Sequence, residues 1–547
     1  MTFTYPRFFI FSLLILYFFS HSIGNCSNNT TIQTILEKFK ENENYSVLNI
    51  NFPKDNTIYP RNFKSPIFKW AQEKNITSWL LRFSIQNNPE QFFFLAKNHN
   101  WLPDREMWEK IKTLAVNKKI HLIVLAYNDI DKNIISKGTV SFTVSSHSIS
   151  APIILRDTKL PTAWTLIHPS TIKLRLLDLS SDSSSKIILE KNNACFSCHS
   201  FSGHSKNIKL ATLFKQHSNP PIVIRTFVTP LKNRNFSVKQ SDAIAIIDKK
   251  GNKSYINEMS PFQLSYDGKY IISGLDQKSI LVMTDNIHQS FTAIFISGTM
   301  GIYSFESNTL VRLTHLNENK FINTFPSWSP DGTKILFSRS LRSEYLTKKY
   351  SNETVMLKSD LNEFIKDQAY LKFDIYQMSF KNGEAGDPVP LDGASKNNYN
   401  NYFPKYSPDG KWIVYNRSKL GSHFIQLDSE LYIVSAQGGI ARKLNSNFMN
   451  HMNSWHSWSP DSRWLIFTSK GNSPYTELFL THIDENGNDS PPILAYSLAE
   501  SKSAINIPEF INADMQQIQK INIPQDAHVN AISQPKTEVC LKCHKQP

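Results

Sequence analysis

Several things are scarce in this chain of 547 residues. There are only five cysteines, and four of them sit in two short motifs. No second long apolar run follows Phe8 to Phe19, so the mature body reads as soluble or lipid-anchored. There is no Gly-x-Ser-x-Gly elbow, no His-Glu-x-x-His and no Gly-rich phosphate loop, which removes the common hydrolase, metalloprotease and nucleotide-binding patterns. The formal net charge is +14, yet no aromatic-basic nucleic-acid motif accompanies it. The lysines are scattered, as on solvated faces, and nucleic acid is not an expected partner. With 40% hydrophobic and 19% charged residues the chain is globular, long enough for about two to four domains.

The N-terminus has the layout of a secretory signal over residues 1–24: Arg7, the apolar run, then Ser20-His21-Ser22-Ile23-Gly24. Small residues at Ser22 and Gly24 place cleavage before Asn25. Cys26 opens a lipoprotein alternative, the one route by which the sequence implies a membrane. Localisation is expected to be periplasmic or otherwise extracytoplasmic.

The two motifs are Cys195-Phe196-Ser197-Cys198-His199 and Cys540-Leu541-Lys542-Cys543-His544. Cys-x-x-Cys-His is the spacing of c-type haem attachment: two thiols bond the porphyrin and the adjacent imidazole reaches the iron. Two covalent haem c groups are therefore expected, with His199 and His544 as proximal ligands. A zinc site drawn from both motifs would span more than about 300 residues, unlike a compact zinc module. Export agrees with haem attachment, which takes place outside the bacterial cytoplasm.

Residues 25–60 are polar and read as a linker with one short helix near Ile32 to Phe39. Over 61–148, period-two stretches rich in β-branched and aromatic residues predict strands at Ile67 to Trp70, Trp79 to Ile85, His121 to Tyr127 and Gly138 to Val144, with a helix over Trp101 to Leu114. The order resembles a fibronectin-III-like β-sandwich, with Trp70, Trp79 and Trp108 in its core.

An internal repeat follows. Pro326-Ser-Trp-Ser-Pro-Asp-Gly332, Pro404-Lys-Tyr-Ser-Pro-Asp-Gly410, His456-Ser-Trp-Ser-Pro-Asp-Ser462 and the weaker Phe262-Gln-Leu-Ser-Tyr-Asp-Gly268 each precede an apolar strand. Proline presets the backbone, Asp-Gly completes a tight turn, and the aspartates read as structural because they recur. The repeats lie about 50 to 80 residues apart, enough for one propeller blade each. The frame His-Ser-aromatic-Ser of His199 to Ser202 matches His456 to Ser459 and adds a fifth repeat. Strands at Ile172 to Leu177, Lys186 to Leu189 and Glu477 to His482 are candidates to close the ring. The repeat resembles that of TolB-like β-propellers, and more closely bacterial TolB-like proteins with inserted c-type haem motifs. The fold class expected is all-β: a propeller of five to six blades, six favoured, over 149–500, after the sandwich. A tail, 501–547, carries the second motif.

For the iron's sixth position the sequence offers His451, Met452 and His456 at the first haem, in the segment before the matching turn, and His528 at the second. Three functions are open. Electron transfer by an exported dihaem cytochrome is favoured, with an unidentified redox partner whose surface the charge suggests is acidic. The alternatives are a peroxidase-like oxidoreductase with an open haem, and a propeller that binds a protein or glycan with haem in a sensory or structural role.

Overall fold

The computed structural model describes residues 26–522 except 161–164, 166–167, 169–170, 191–193, 204–208, 217–222, 231–234, 238–244, 248–252, 256–260, 284–290, 352–370, 420–422, 425–426, 514, 516–517 and 519. The signal segment, His528 and the second haem motif lie outside the described residues. The chain divides into two compact units: Met1–Asn56 with Ile67–Val144, and Thr57–Pro66 with Ser145–Pro547. Among the described residues no helix is long and apolar enough to cross a membrane.

The first unit is a two-sheet sandwich. Strands Gln91–Ala96, Ser78–Ile85, Lys119–Asn128 and Asn133–Val144 make one antiparallel sheet. Ile50–Phe52, Phe68–Trp70 and Asn100–Trp101 make the other. Trp70, Trp79 and Trp108 are buried, as expected, and Phe68 meets Phe83 edge-on with centroids 5.4 Å apart. Two boundaries differ from expectation. The predicted helix over Trp101 to Leu114 begins only at Arg105, where Asp104 caps it by accepting from Met107 N at 2.8 Å, and Trp101 belongs to a strand. Residues 25–60 are no free linker. They hold the helix Cys26–Lys38, whose Ile32 and Ile35 pack with Leu80, Leu125 and Tyr127.

The second unit is a β-propeller of six blades among the described residues, numbered here from the one that holds both ends of the ring. Blade 1 combines Ser503–Phe510 with Ile153–Lys159, Lys173–Leu177 and Lys186–Leu189. Blade 2 is Ala194–Phe201, Lys209–Gln216 and Val223–Pro230. Blades 3 to 6 begin at their innermost strands, Phe262–Leu264, Phe321–Trp328, Asn400–Tyr406 and Asn453–Trp458. The innermost strands of blades 6, 1, 2, 3, 4 and 5 touch in that order, and Asn453–Trp458 of blade 6 meets Trp412–Ser418 and Glu430–Ser435 of blade 5, which closes the ring. Hydrogen bonds stitch the seams: Leu264 N donates to Ser200 Oγ at 3.2 Å, Trp328 N to Gln263 Oε1 at 2.7 Å, and Phe510 N to Ser457 Oγ at 3.3 Å.

The closing strand corrects the sequence reading. Glu477–His482 is the third strand of blade 6, and the strand that closes the ring is Ser503–Phe510, inside the segment read as a tail. The apolar core lies between blades, as in the layer of Leu336, Ile375, Tyr406, Ile413, Tyr415 and Val434.

The repeated turns have one geometry. In blades 3 to 6 the serine Oγ donates to the aspartate Oδ1 at 2.5–2.6 Å (Ser265–Asp267, Ser329–Asp331, Ser407–Asp409, Ser459–Asp461). The same oxygen accepts a main-chain N–H five residues on, at 2.9–3.0 Å. The aspartates are therefore turn formers. The fifth repeat shares the pattern: Lys209 N donates to Ser202 Oγ at 2.9 Å.

Candidate functional site

Each innermost strand that leads into a turn must let its last residues reach the next turn while keeping its side chains packed. In five of the six blades, all but blade 3, it does so with a bulge. The ladder skips between Thr324 and Ser327, Tyr402 and Lys405, Ser454 and Ser457, and Phe196 and His199, and the closing strand skips opposite Ile154 and Arg156. Phe325, Phe403, Trp455 and Ile507 sit in these bulges at φ of 47–53°. For bulky side chains this conformation costs roughly 1–3 kcal/mol each and persists only where packing enforces it. The bulge swings the following residue toward the propeller axis. In three blades that residue is proline: Pro326, Pro404 and Pro508. In blade 6 it is His456; in blade 2 the skip falls one residue earlier, at Ser197 and Cys198, and His199 follows it, paired with Thr212.

Both histidines line one chamber of about 120 Å³ on the axis. Its walls include Phe262, Phe325, Phe403, Trp455 and Ile507. Half-buried Lys405 and Glu509 stand at its floor, together with Gln263 and Ser327; all four also line a neighbouring cavity of about 80 Å³ toward the turns.

His199 is 7% exposed and His456 1%. The Ile507 main chain takes a hydrogen bond from the His199 ring, and His199 Nε2 has no partner. His456 Nε2 lies 2.9 Å from the Val414 carbonyl, and its Nδ1 has no partner. Burial first, and the nearby Lys405 second, push both imidazoles down to about 3, so both are neutral at neutral pH. With one nitrogen of each ring donating to a carbonyl, the other carries a bare lone pair in a buried space. Glu509 runs the other way: burial pushes it up to about 7, against the pull of Lys405 and of the Phe201 main chain.

Of the residues expected at the first haem, His199 and His456 are brought to one chamber. His451 is exposed, and Met452, although fully buried, does not line the chamber. The backbone of Cys195 and Cys198 runs in the strand Ala194–Phe201, so the motif lies on the innermost strand itself and not at the junction with the turn. The side chains of both cysteines are outside the described residues. Sequence reasoning missed Lys405 and Glu509. Their only signal was their offset from the turn, where other blades carry Ser or Gln. Among the described residues no three His, Cys, Asp or Glu side chains stand together so as to hold a metal ion.

No family model matches the chain. No curated protein matches it either. Among solved structures, a TolB-type protein from Agrobacterium tumefaciens is 13% identical, with 66% of this chain and all of that one covered and a TM-score of 0.32. An oligogalacturonate lyase from Vibrio parahaemolyticus is also 13% identical, covering 52% and 73%, at 0.26. Kuenenia stuttgartiensis hydrazine synthase is 10% identical, covering 70% and 92%, at 0.28. These are likenesses of fold, and the propeller assignment rests on this chain's own strand pairing.

The two imidazoles suit coordination of a metal ion, but the chamber, at about 120 Å³, does not fit a porphyrin. A neutral imidazole with a free nitrogen, oriented through its other nitrogen by a carbonyl, is how proteins present histidine to a metal. Aromatic and proline walls suit an apolar ring.

Proposed function

We propose that this chain is an exported c-type cytochrome that transfers electrons, built on a propeller scaffold and carrying two covalent haem c groups. The observation that carries the reading is the coincidence of a Cys-x-x-Cys-His motif with the setting of its histidine. His199 alone of that motif's residues has its side chain described; it lines the axial chamber, and its Nε2 is unpaired. Cys195 and Cys198 would hold the porphyrin by thioether bonds, and His199 would be the proximal ligand. Bound there, haem supplies a one-electron iron couple. The chain's own contribution is to fix the His199 ring through Ile507, to exclude water with the aromatic wall, and to set a cation, Lys405, beside the site. A nearby positive charge favours the reduced, less positive iron.

Cys540, Cys543 and His544 would hold the second haem, with His528 a candidate for its other face. Export through the N-terminal signal, with cleavage before Asn25 or acylation at Cys26, completes the reading. The excess of basic residues suits an acidic redox partner.

The test is a pyridine haemochrome assay with intact mass, on protein exported from a host that matures c-type cytochromes. Two haems per chain are expected, and Cys195→Ala with Cys198→Ala should remove one. A parent protein without covalent haem would overturn the reading. One observation favours a peroxidase-like alternative: His456 offers a neutral base opposite His199. High-spin iron that binds peroxide would favour it.

A further inference from the structure

We propose that the axis of the propeller binds a small monocarboxylate with a compact apolar body, its carboxylate held by Lys405 and Trp458 and its body in the aromatic chamber. This goes beyond the haem reading and does not depend on it.

The position two residues before each turn serine reaches the axis: Ser200, Gln263, Ser327, Lys405 and Ser457 in blades 2 to 6, with Glu509 after Pro508 in blade 1. Each of these residues lines the chamber of about 120 Å³, the cavity of about 80 Å³, or both. In four blades the side chain accepts a main-chain N–H from the next blade: Glu509 from Phe201, Ser200 from Leu264, Gln263 from Trp328 and Ser457 from Phe510. Lys405 breaks the rule. An ammonium has only protons to give, so it cannot accept at the seam between blades 5 and 6.

The consequence shows at two equivalent tryptophans. Trp328 gives its main-chain N–H to Gln263 Oε1 and its indole N–H to the Gln263 carbonyl at 3.2 Å. Trp458 is its counterpart in blade 6, with Lys405 in the place of Gln263. The indole Nε1 of Trp458 is buried and has no acceptor. Among the described residues the Lys405 ammonium has no hydrogen-bond or ion-pair partner either, and Glu509 acts on it through charge alone. Both residues line the smaller cavity, and burial pushes the pKa of the Lys405 amine down. A carboxylate supplies what the two lack: an anion that keeps the amine protonated, and lone pairs for the indole.

The chamber on the other side of Lys405 sets the body. Phe262, Phe325, Phe403 and Trp455 wall it. At about 120 Å³ it admits a body no larger than about one ring, since a cavity of roughly 150 Å³ holds benzene. Glu509 is the counterweight. Its carboxyl lines both spaces and repels a second carboxylate when ionised.

The test titrates benzoate into the exported full chain by calorimetry. One site per chain is expected. Acetate, which lacks the body, and benzamide, which lacks the charge, should each bind at least about tenfold more weakly. Lys405→Met should weaken benzoate by about tenfold or more and leave benzamide unchanged. Glu509→Gln should tighten benzoate, and it covers the case in which Lys405→Met prevents folding. A chain that does not bind benzoate overturns the proposal. So does equal affinity in Lys405→Met protein of native circular dichroism, or an affinity that Glu509→Gln leaves unchanged. Haem is read by absorbance in the same preparation. Benzoate binding without haem keeps this proposal and overturns the cytochrome reading; haem without benzoate binding does the reverse.

Discussion

Glu509 and His482 should respond to pH in opposite senses. Burial raises Glu509 to about 7, above its unfolded range. Between about pH 4.5 and 7 the folded chain therefore binds more protons at this site than the unfolded one, and stability falls as pH rises. Glu509→Gln should remove that decline, a difference of up to about 3 kcal/mol by pH 8, less where chamber water screens the charge. Denaturant midpoints measured from pH 5 to 8 would show it; parallel curves for the two proteins would refute it. His482 lies under Trp464 with ring centroids 4.9 Å apart and stacks on His147 at 5.7 Å. Burial, then the neighbouring His147, pushes it down to about 4. Its contribution is present above about pH 6.5 and is lost as the pH falls through 4. His482→Phe should flatten that acid limb, read as melting temperature between pH 4 and 7.

At the level of the element, the turn is the unit that repeats. Asp461 accepts from Ser459 Oγ and from Arg463 N. Asp461→Ala should cost about 1–2 kcal/mol, measured by urea unfolding, without altering haem content. The same change at Asp331 or Asp409 should cost a similar amount, since both make the same bonds. These turns were legible in the sequence because their chemistry is local: serine, aspartate and a left-handed residue, Gly332 or Gly410 at φ near 70° and Ser462 at 61°, all lie within four positions. The alignment of His199 with His456 was legible for the same reason. The bulges were not. Phe325, Phe403, Trp455 and Ile507 adopt a conformation that nothing in a bulky residue announces, and packing around the axis imposes it. Lys405 and Glu509 were missed with them, because what brings those two together is the ring. Ser503–Phe510 was read as tail since no turn of the repeat follows it and its partner, Ile153–Lys159, lies at the other end of the unit.

For the whole molecule, closure depends on that last strand. Removing the chain from Ser503 onward strips blade 1 of its innermost strand and leaves blades 2 and 6 with open edges. Such a truncation should expose the chamber, lose cooperative melting and bind hydrophobic dye. The pairing of Ile153 with Phe510 also sets a clock. Contacts so distant along the chain form late and slowly. A chain emerging N-terminus first displays Cys195 and Cys198 long before Phe510 arrives. During that interval blade 1 still lacks its innermost strand beside Ala194–Phe201, so on the haem reading a bulky group reaches blade 2 more easily. Once Phe510 is seated the opportunity has passed, so a cell that delays the attachment machinery should accumulate a closed protein that can no longer be loaded.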